Sequence, residues 1–321
     1  MSRFTEETSI NLKRMKQLYF VPLDLRNLFQ ELIEIRQALP DHLSAIADAF
    51  EHNIRSVSET ISLPFELASS NAQNRHWQRF STAERIRSET IDPEPDEIPE
   101  AFASRKAEVA TEIASKHMKE FLSSEDGIDA ITNDIAEFLL SAHDRGTISI
   151  AASELIFQGT ILTWSSFEVL ARDVFINVIN KHPNLVSLLL QDQNTKKRFD
   201  ITKIPLDILS EHGFDVSNKM GSILAVQQDL SDLRTIKQIF LTLWGSEKNI
   251  CDNLNNRALW ILSQQRHLIV HKRGIVDADY NTKTGAGLPC GSRLQILPQD
   301  LEQYIRVVLG TGCSILRALS A

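Results

Sequence analysis

Apolar side chains recur at helical spacing along most of this chain, so the pattern predicts a run of helices. Asp24 to Ala38 reads as one helix, with Leu25, Leu28, Phe29, Leu32 and Ile35 apolar, and Pro40 stops it. Asp41 can cap the next, in which Leu43, Ile46, Phe50, Ile54, Val57 and Ile61 keep near-heptad spacing until Pro64. That pair fits an antiparallel helix pair or a short coiled coil, with a core helix the simpler reading. Ser69-Ser70-Asn71 then breaks the pattern, and residues 66–100 read as a loop or hinge. Its centre, Arg75-His76-Trp77-Gln78-Arg79-Phe80, has the composition of a stacking patch but also suits a short helix with its rings turned inward.

The hinge itself is the Pro-rich acidic stretch at 91–99. Helices resume from Glu100 to about Ser123 and from Gly127 to about His143, the latter with Ile128, Ile131, Ile135 and Phe138 on one face. Arg145-Gly146-Thr147 marks a boundary. Ile148 to Lys181 is one long pattern that includes Ile161, Trp164, Phe167, Leu170, Val174 and Val178 and ends before Pro183. Further helices are predicted over Leu185 to Leu190, Ser222 to Trp244, Ile250 to Val270 and Leu301 to Leu319. Residues 281–297 read as a loop, with a short strand over Arg293 to Leu297. The expectation is therefore an all-α protein with two parts: a helical regulatory or interaction domain over 1–146, and a helical bundle over 147–321.

Charge sharpens that division. Residues 1–150 hold 16 Lys+Arg against 26 Asp+Glu, net −10; residues 151–321 hold 18 against 16, net +2. The total of −8 argues against broad nonspecific binding to nucleic acid. The asymmetry fits either an ordinary solvated helical surface or an acidic half that masks a binding cleft. Cys251, Cys290 and Cys313 are odd in number and widely spaced, which suits neither a disulfide framework nor a zinc ribbon and fits a reducing cytoplasm. No stretch reaches 18 apolar residues and the N-terminus has no apolar signal region, so no membrane contact is expected.

The chemistry concentrates in Arg266-His267-Leu268-Ile269-Val270-His271-Lys272-Arg273. Leu254, Ala258, Ile261, Leu262, Gln265, Leu268 and Ile269 form the packing stripe of the predicted helix. His267 and His271, four residues apart, project together on the other side with Trp260 and Gln264, and Arg266 lies at the edge. A Trp on that face suggests a surface for a partner, here a second copy of the chain. Imidazoles titrate near neutrality and can exchange protons at working pH, while a guanidinium matches phosphate oxygens. Together they suit transesterification at an RNA phosphodiester. The same residues would also serve as a plain helix end, with cations at its C-terminal dipole and Gly274 as the cap. Two histidines at this spacing are also half of a zinc site, but the chain offers no Glu between them and no evident third ligand.

Arg266-x4-His271, with His267 directly after the arginine, resembles the R-x4-6-H motif of the HEPN superfamily (higher eukaryotes and prokaryotes nucleotide-binding). Gly274-Ile275-Val276-Asp277-Ala278-Asp279-Tyr280 resembles the turn that follows it in bacterial members, and Ser165-Ser166-Phe167-Glu168 resembles their first helix. The resemblance covers about 150–321. It implies metal-independent RNA cleavage without a cofactor, and a homodimer that joins two motifs in one cleft. It also implies a role in toxin–antitoxin or anti-phage defence beside an antitoxin or defence partner. On that reading His271 is the main acid/base, Arg266 the phosphate clamp, His267 a second proton-transfer residue and Glu168 a supporting carboxylate. Lys272 and Arg273 would contact the RNA backbone, and the cluster Lys196-Lys197-Arg198, in a predicted turn, suits the same contact or a plain solvated surface. The different expectation that the same resemblance permits is an idle module that binds nucleotide, RNA or protein as a scaffold or sensor.

Overall fold

In a computed structural model the chain is all-α. The structure describes residues 4–193, 195–196, 206–227, 230–245 and 247–320. In chain order the helices are α1 (Glu6–Leu18), α2 (Arg26–Ala38), α3 (Asp41–Ser88), α4 (Pro99–Ser123), α5 (Glu125–Asp144), α6 (Ser149–Lys181) and α7 (Val186–Gln191). They continue with α8 (Leu206–Glu211), α9 (Met220–Gln227), α10 (Leu233–Trp244), α11 (Lys248–Leu254), α12 (Arg257–Lys272), α13 (Ala278–Thr284) and α14 (Pro298–Ser320). Among the described residues β pairing is confined to one antiparallel bridge, Ile275 with Arg293.

Helix α3 departs most from the sequence reading. It runs through Pro64 and does not stop there. An interior proline removes one backbone hydrogen bond and costs about 3 kcal/mol. Burial outweighs that cost, because the stripe of Phe50, Ile54, Val57 and Ile61 continues in register as Ala68, Ala72 and His76, all buried. The continuation is hard to see in the sequence because small and polar residues occupy its inner positions. His76 packs on Phe121 with ring centroids 4.7 Å apart and meets Asp134 at 3.0 Å, and Phe80 packs on the same Phe121. The segment around Trp77 is therefore a structural helix with rings turned inward. Only residues 89–98 are a loop, which connects α3 to α4 inside one compact unit, and Pro99 opens α4.

Two compact units emerge: residues 1–21 with 62–154, and residues 22–61 with 155–321. This differs from a cut at 146/147, since 22–61 joins the second unit. The first unit has 13 Lys+Arg against 20 Asp+Glu, net −7, and the second 21 against 22, net −1, so the acidic bias survives the new boundary. The core of the first unit is formed by Met15 of α1 and Tyr19 just after it, Ala68 and Ala72 of α3, and Ile131, Ile135, Ala136 and Leu139 of α5. Helix α1, which the sequence reading does not include, is pinned to α5 by Thr5 and Thr8 on Asp129 and by Asn11 on Asn133. Phe138, expected on the inner face of α5, is 41% exposed; Ile131, Ile135 and Leu139 make that face instead.

In the second unit α14 is the centre, with Leu301, Ile305, Val308, Leu309 and Leu316 fully enclosed. Helices α2, α11 and α12 pack on it. Small residues set the close approaches. A methyl group at Gly312 would come within 2.3 Å of the Phe50 ring, and one at Gly159 within 2.7 Å of both Ile61 and Leu301. Two predicted helices are each divided. Ser222 to Trp244 separates into α9 and α10, and Ile250 to Val270 breaks at Asn255-Asn256 into α11 and α12. The predicted loop at 281–297 loses its first residues to α13, and the expected strand over Arg293 to Leu297 reduces to the single bridge at Arg293. No described helix is long and apolar enough to cross a membrane.

Candidate functional site

Helix α12 carries the site. Asn256 starts it, its side chain accepting from the Ala258 amide at 2.8 Å, as an N-cap residue does. Leu259, Leu262, Leu268 and Ile269 are buried on its inner side, and Gln265 is buried with them beside Tyr280 and Tyr304. The helix ends in two left-handed residues, Arg273 (φ 53°) and Gly274 (φ 74°), with the Gly274 amide reaching back to the Leu268 carbonyl at 3.1 Å. Gly274 is required twice over, since a Cβ there would lie 2.7 Å from the Phe157 ring of α6.

The residues after Gly274 have structural roles. Leu294 donates to the Gly274 carbonyl at 2.7 Å, Val276 is buried and exchanges backbone bonds with Ser292 and Gly291, and Asp277 caps α13 by accepting from the Tyr280 amide at 2.8 Å. Tyr280 is buried in turn. The Gly-Ile-Val-Asp-x-x-Tyr run thus folds α13 back beside α12.

On the outer side of α12, His267 and His271 are both exposed, and their ring centroids lie 4.6 Å apart with planes inclined at 46°. Desolvation of part of its ring holds His267 below the ordinary imidazole pKa. The positive fields of His271, Lys283 and Arg266 add to this, and Asp279 opposes them. Lys283 and Asp279 belong to α13 and pair with each other at 2.7 Å. Lys283 falls in the predicted loop at 281–297 and Asp279 in the turn before it, so the sequence alone assigns neither charge a place beside His267.

Arg266 does not curl toward the histidines. Its guanidinium turns to Glu168 on α6, with Nη2 3.5 Å from a carboxylate oxygen. Both side chains are about three-quarters shielded, at 22% and 26% exposure. Among the described residues Arg266 Nε is buried without a hydrogen-bond partner, so the guanidinium is held at one corner and keeps unused donors. Ser166 and Phe167, next to Glu168, are buried in the core. Lys272 and Arg273 are exposed at the end of α12. Lys196 is exposed after α7, while Lys197 and Arg198 lie outside the described residues.

The remaining two expected site residues sit farther up α12. Gln264 is half-buried and donates to Ser263 Oγ at 3.2 Å. Trp260 is half-buried and lines a cleft of about 380 Å³ with Leu233, Arg234, Lys237, Gln238 and Leu241 of α10. Among the described residues no group of three or more His, Cys, Asp or Glu side chains is gathered as metal ligands would be.

The arrangement offers proton exchange at a histidine pair, a partly engaged guanidinium beside it, and exposed cations at the end of the helix. The chain matches no family model, no curated protein and no solved structure.

Proposed function

We propose that this protein is an endoribonuclease that cleaves RNA by transesterification, without a metal ion, and that its site is the outer face of α12. The observation that carries this reading is the placement of the His267/His271 pair beside an Arg266 that Glu168 holds in a shielded position.

The steps follow from the side chains. His267, whose pKa its surroundings lower, accepts the proton of a ribose 2′-OH. The 2′ oxygen attacks the adjacent phosphorus, forming the 2′,3′-cyclic phosphate as the bond to the 5′ oxygen breaks. His271 gives a proton to that leaving oxygen. Arg266, whose side chain keeps 22% exposure, steadies the charge on the non-bridging oxygens through the accessible part of its guanidinium. Lys272 and Arg273 hold the adjoining backbone.

The reading includes a homodimer with the α12 faces opposed across a two-fold axis. Val270 on α12 and Val169 next to Glu168 are 46% and 42% exposed, apolar area that a second copy would cover. It also takes the net negative first unit as a regulatory or interaction module, and a toxin or anti-phage role as the setting.

The test is incubation of the full-length protein with total RNA in EDTA, followed by analysis of the product ends. Cyclic phosphate ends, lost in His271→Ala and in Arg266→Ala by about 10²-fold or more, support the reading. Undiminished cleavage by both variants, or cleavage that stops in EDTA, would overturn it. Binding of RNA with no cleavage under any condition would favour a scaffold or sensor.

A further inference from the structure

Beside the histidine face, the same helix presents a second chemical environment. The indole of Trp260 forms one wall of the α10–α12 cleft, and Leu233 and Leu241 supply apolar lining. Arg234 and Lys237 stand one turn apart on α10 and also line it, and among the described residues neither takes part in an ion pair. Arg257 places its guanidinium carbon 6.0 Å from the centre of the Trp260 ring. Gln238 is tied to Asp192 at 2.9 Å, which fixes that side of the cleft.

An accessible aromatic face, a cleft of about 380 Å³ with room for a base, its sugar and a phosphate, and two cations at its edge that are unpaired among the described residues match one ligand chemistry: a nucleobase with its phosphates. An acidic peptide would use the cations and leave the indole without a planar partner. An apolar helix would fill the cleft and leave the cations desolvated, which is costly.

We propose that this cleft is a base-stacking subsite for single-stranded RNA, with the base on Trp260 and flanking phosphates on Arg234 and Lys237. The proposal deepens the nuclease reading and rests on it for the identity of the strand. Geometry connects the two sites. Trp260, Gln264, His267 and His271 lie within one narrow strip of α12. Trp260 and His271 are separated along the axis by about 16 Å at 1.5 Å per residue, the length of roughly five stacked nucleotides at about 3.4 Å each. A strand seated on Trp260 would therefore run along α12 to the histidines, so cleavage would fall a set number of nucleotides from an unpaired, stacked base.

The experiment uses the full-length His271→Ala protein, which keeps a bound strand uncut. Fluorescence anisotropy of labelled oligo(A) and oligo(U), each about ten nucleotides long, reports binding. Trp260→Leu is expected to weaken binding at least tenfold and Trp260→Phe by less than threefold, since a phenyl ring still stacks. The double variant Arg234→Ala/Lys237→Ala removes one exposed and one half-buried side chain, and circular dichroism checks that its fold is kept. It should weaken binding as much and lower the slope of log affinity against log salt by about 1.4, at ~0.7 per phosphate contact on a single strand. Absence of oligonucleotide binding, or binding by Trp260→Leu or by the double variant as tight as by the His271→Ala parent, overturns the subsite. Full displacement by AMP at the concentration where the oligonucleotide saturates overturns the strand in favour of a free nucleotide. The same variants with His271 restored are assayed for cleavage. Binding that depends on the cleft in a protein that cuts nothing keeps the subsite and refutes the nuclease. Cleavage indifferent to the cleft variants refutes the subsite and keeps the nuclease.

Discussion

Glu168 and Arg266 meet at 3.5 Å, an ion pair joining the middle of α6 to the outer edge of α12. It leaves Arg266 Nε unused among the described residues. On the proposed mechanism, a carboxylate that holds the arginine at one corner orients it without consuming all its donors, which would make Glu168 a positioning residue. Glu168→Gln keeps the shape and removes the charge. It should lower kcat about tenfold with little change in KM, because a misplaced clamp weakens transition-state contacts more than ground-state binding. Arg266→Lys should not substitute, since an ammonium lacks the planar fork. Steady-state kinetics decides; an unchanged kcat in Glu168→Gln would remove the positioning role.

The electrostatics of His267 fix the direction of the pH dependence. Its pKa is lowered below 6.5, first by desolvation and then by His271, Lys283 and Arg266, while Asp279 raises it. A base acts in its neutral form, so the acid limb of kcat/KM should lie below pH 6.5. Lys283→Gln should move that limb upward, and Asp279→Asn downward. The same shift makes the unfolded chain bind the proton more readily than the folded one. This contribution to stability is therefore complete above the unfolded pKa and lost as pH falls through the lowered one. Rate profiles of the two charge variants that coincide with wild type would contradict this assignment.

Dimerisation through the α12 face makes a separate prediction. Val270→Glu would bury a carboxylate against its symmetry mate, and should give monomers by light scattering together with loss of cleavage, without disturbing either histidine. A wild-type monomer with full activity at micromolar concentration would end the shared-cleft idea.

The unit boundary predicts the behaviour of fragments. A chain of 147–321 lacks residues 22–61, and with them Leu32, Phe50 and Ile54, all buried in the second unit, and the Glu31–Arg317 contact at 2.8 Å. Truncating even one such core side chain costs about 2–5 kcal/mol against a total stability of about 5–15 kcal/mol. The fragment should be unfolded or aggregated by circular dichroism. A test of whether the acidic first unit restrains activity needs 22–61 retained. Cooperative melting of 147–321 near the full-length temperature would contradict this boundary.

The chain by itself determined whatever follows from neighbours in one helix. The spans of α4, α5, α6 and α14 were legible because each has an apolar stripe at helical period ended by Pro, Gly or a capping side chain. The shared face of His267 and His271 was legible for the same reason, since four residues is close to one turn. Tertiary structure decided the rest. Pro64 reads locally as a stop, and only burial on both sides of it carries α3 through. The run from Ile250 to Val270 has one hydrophobic pattern, but Asn256 caps a new helix inside it, so Leu254 packs from a different element than Leu268. Arg266 and Glu168 are far apart in the chain, as are Trp260 and the cations of α10, and local spacing contains no information about such pairs. They meet because the helices that carry them bury their apolar faces in one core, and that packing alone decides which outer faces become neighbours.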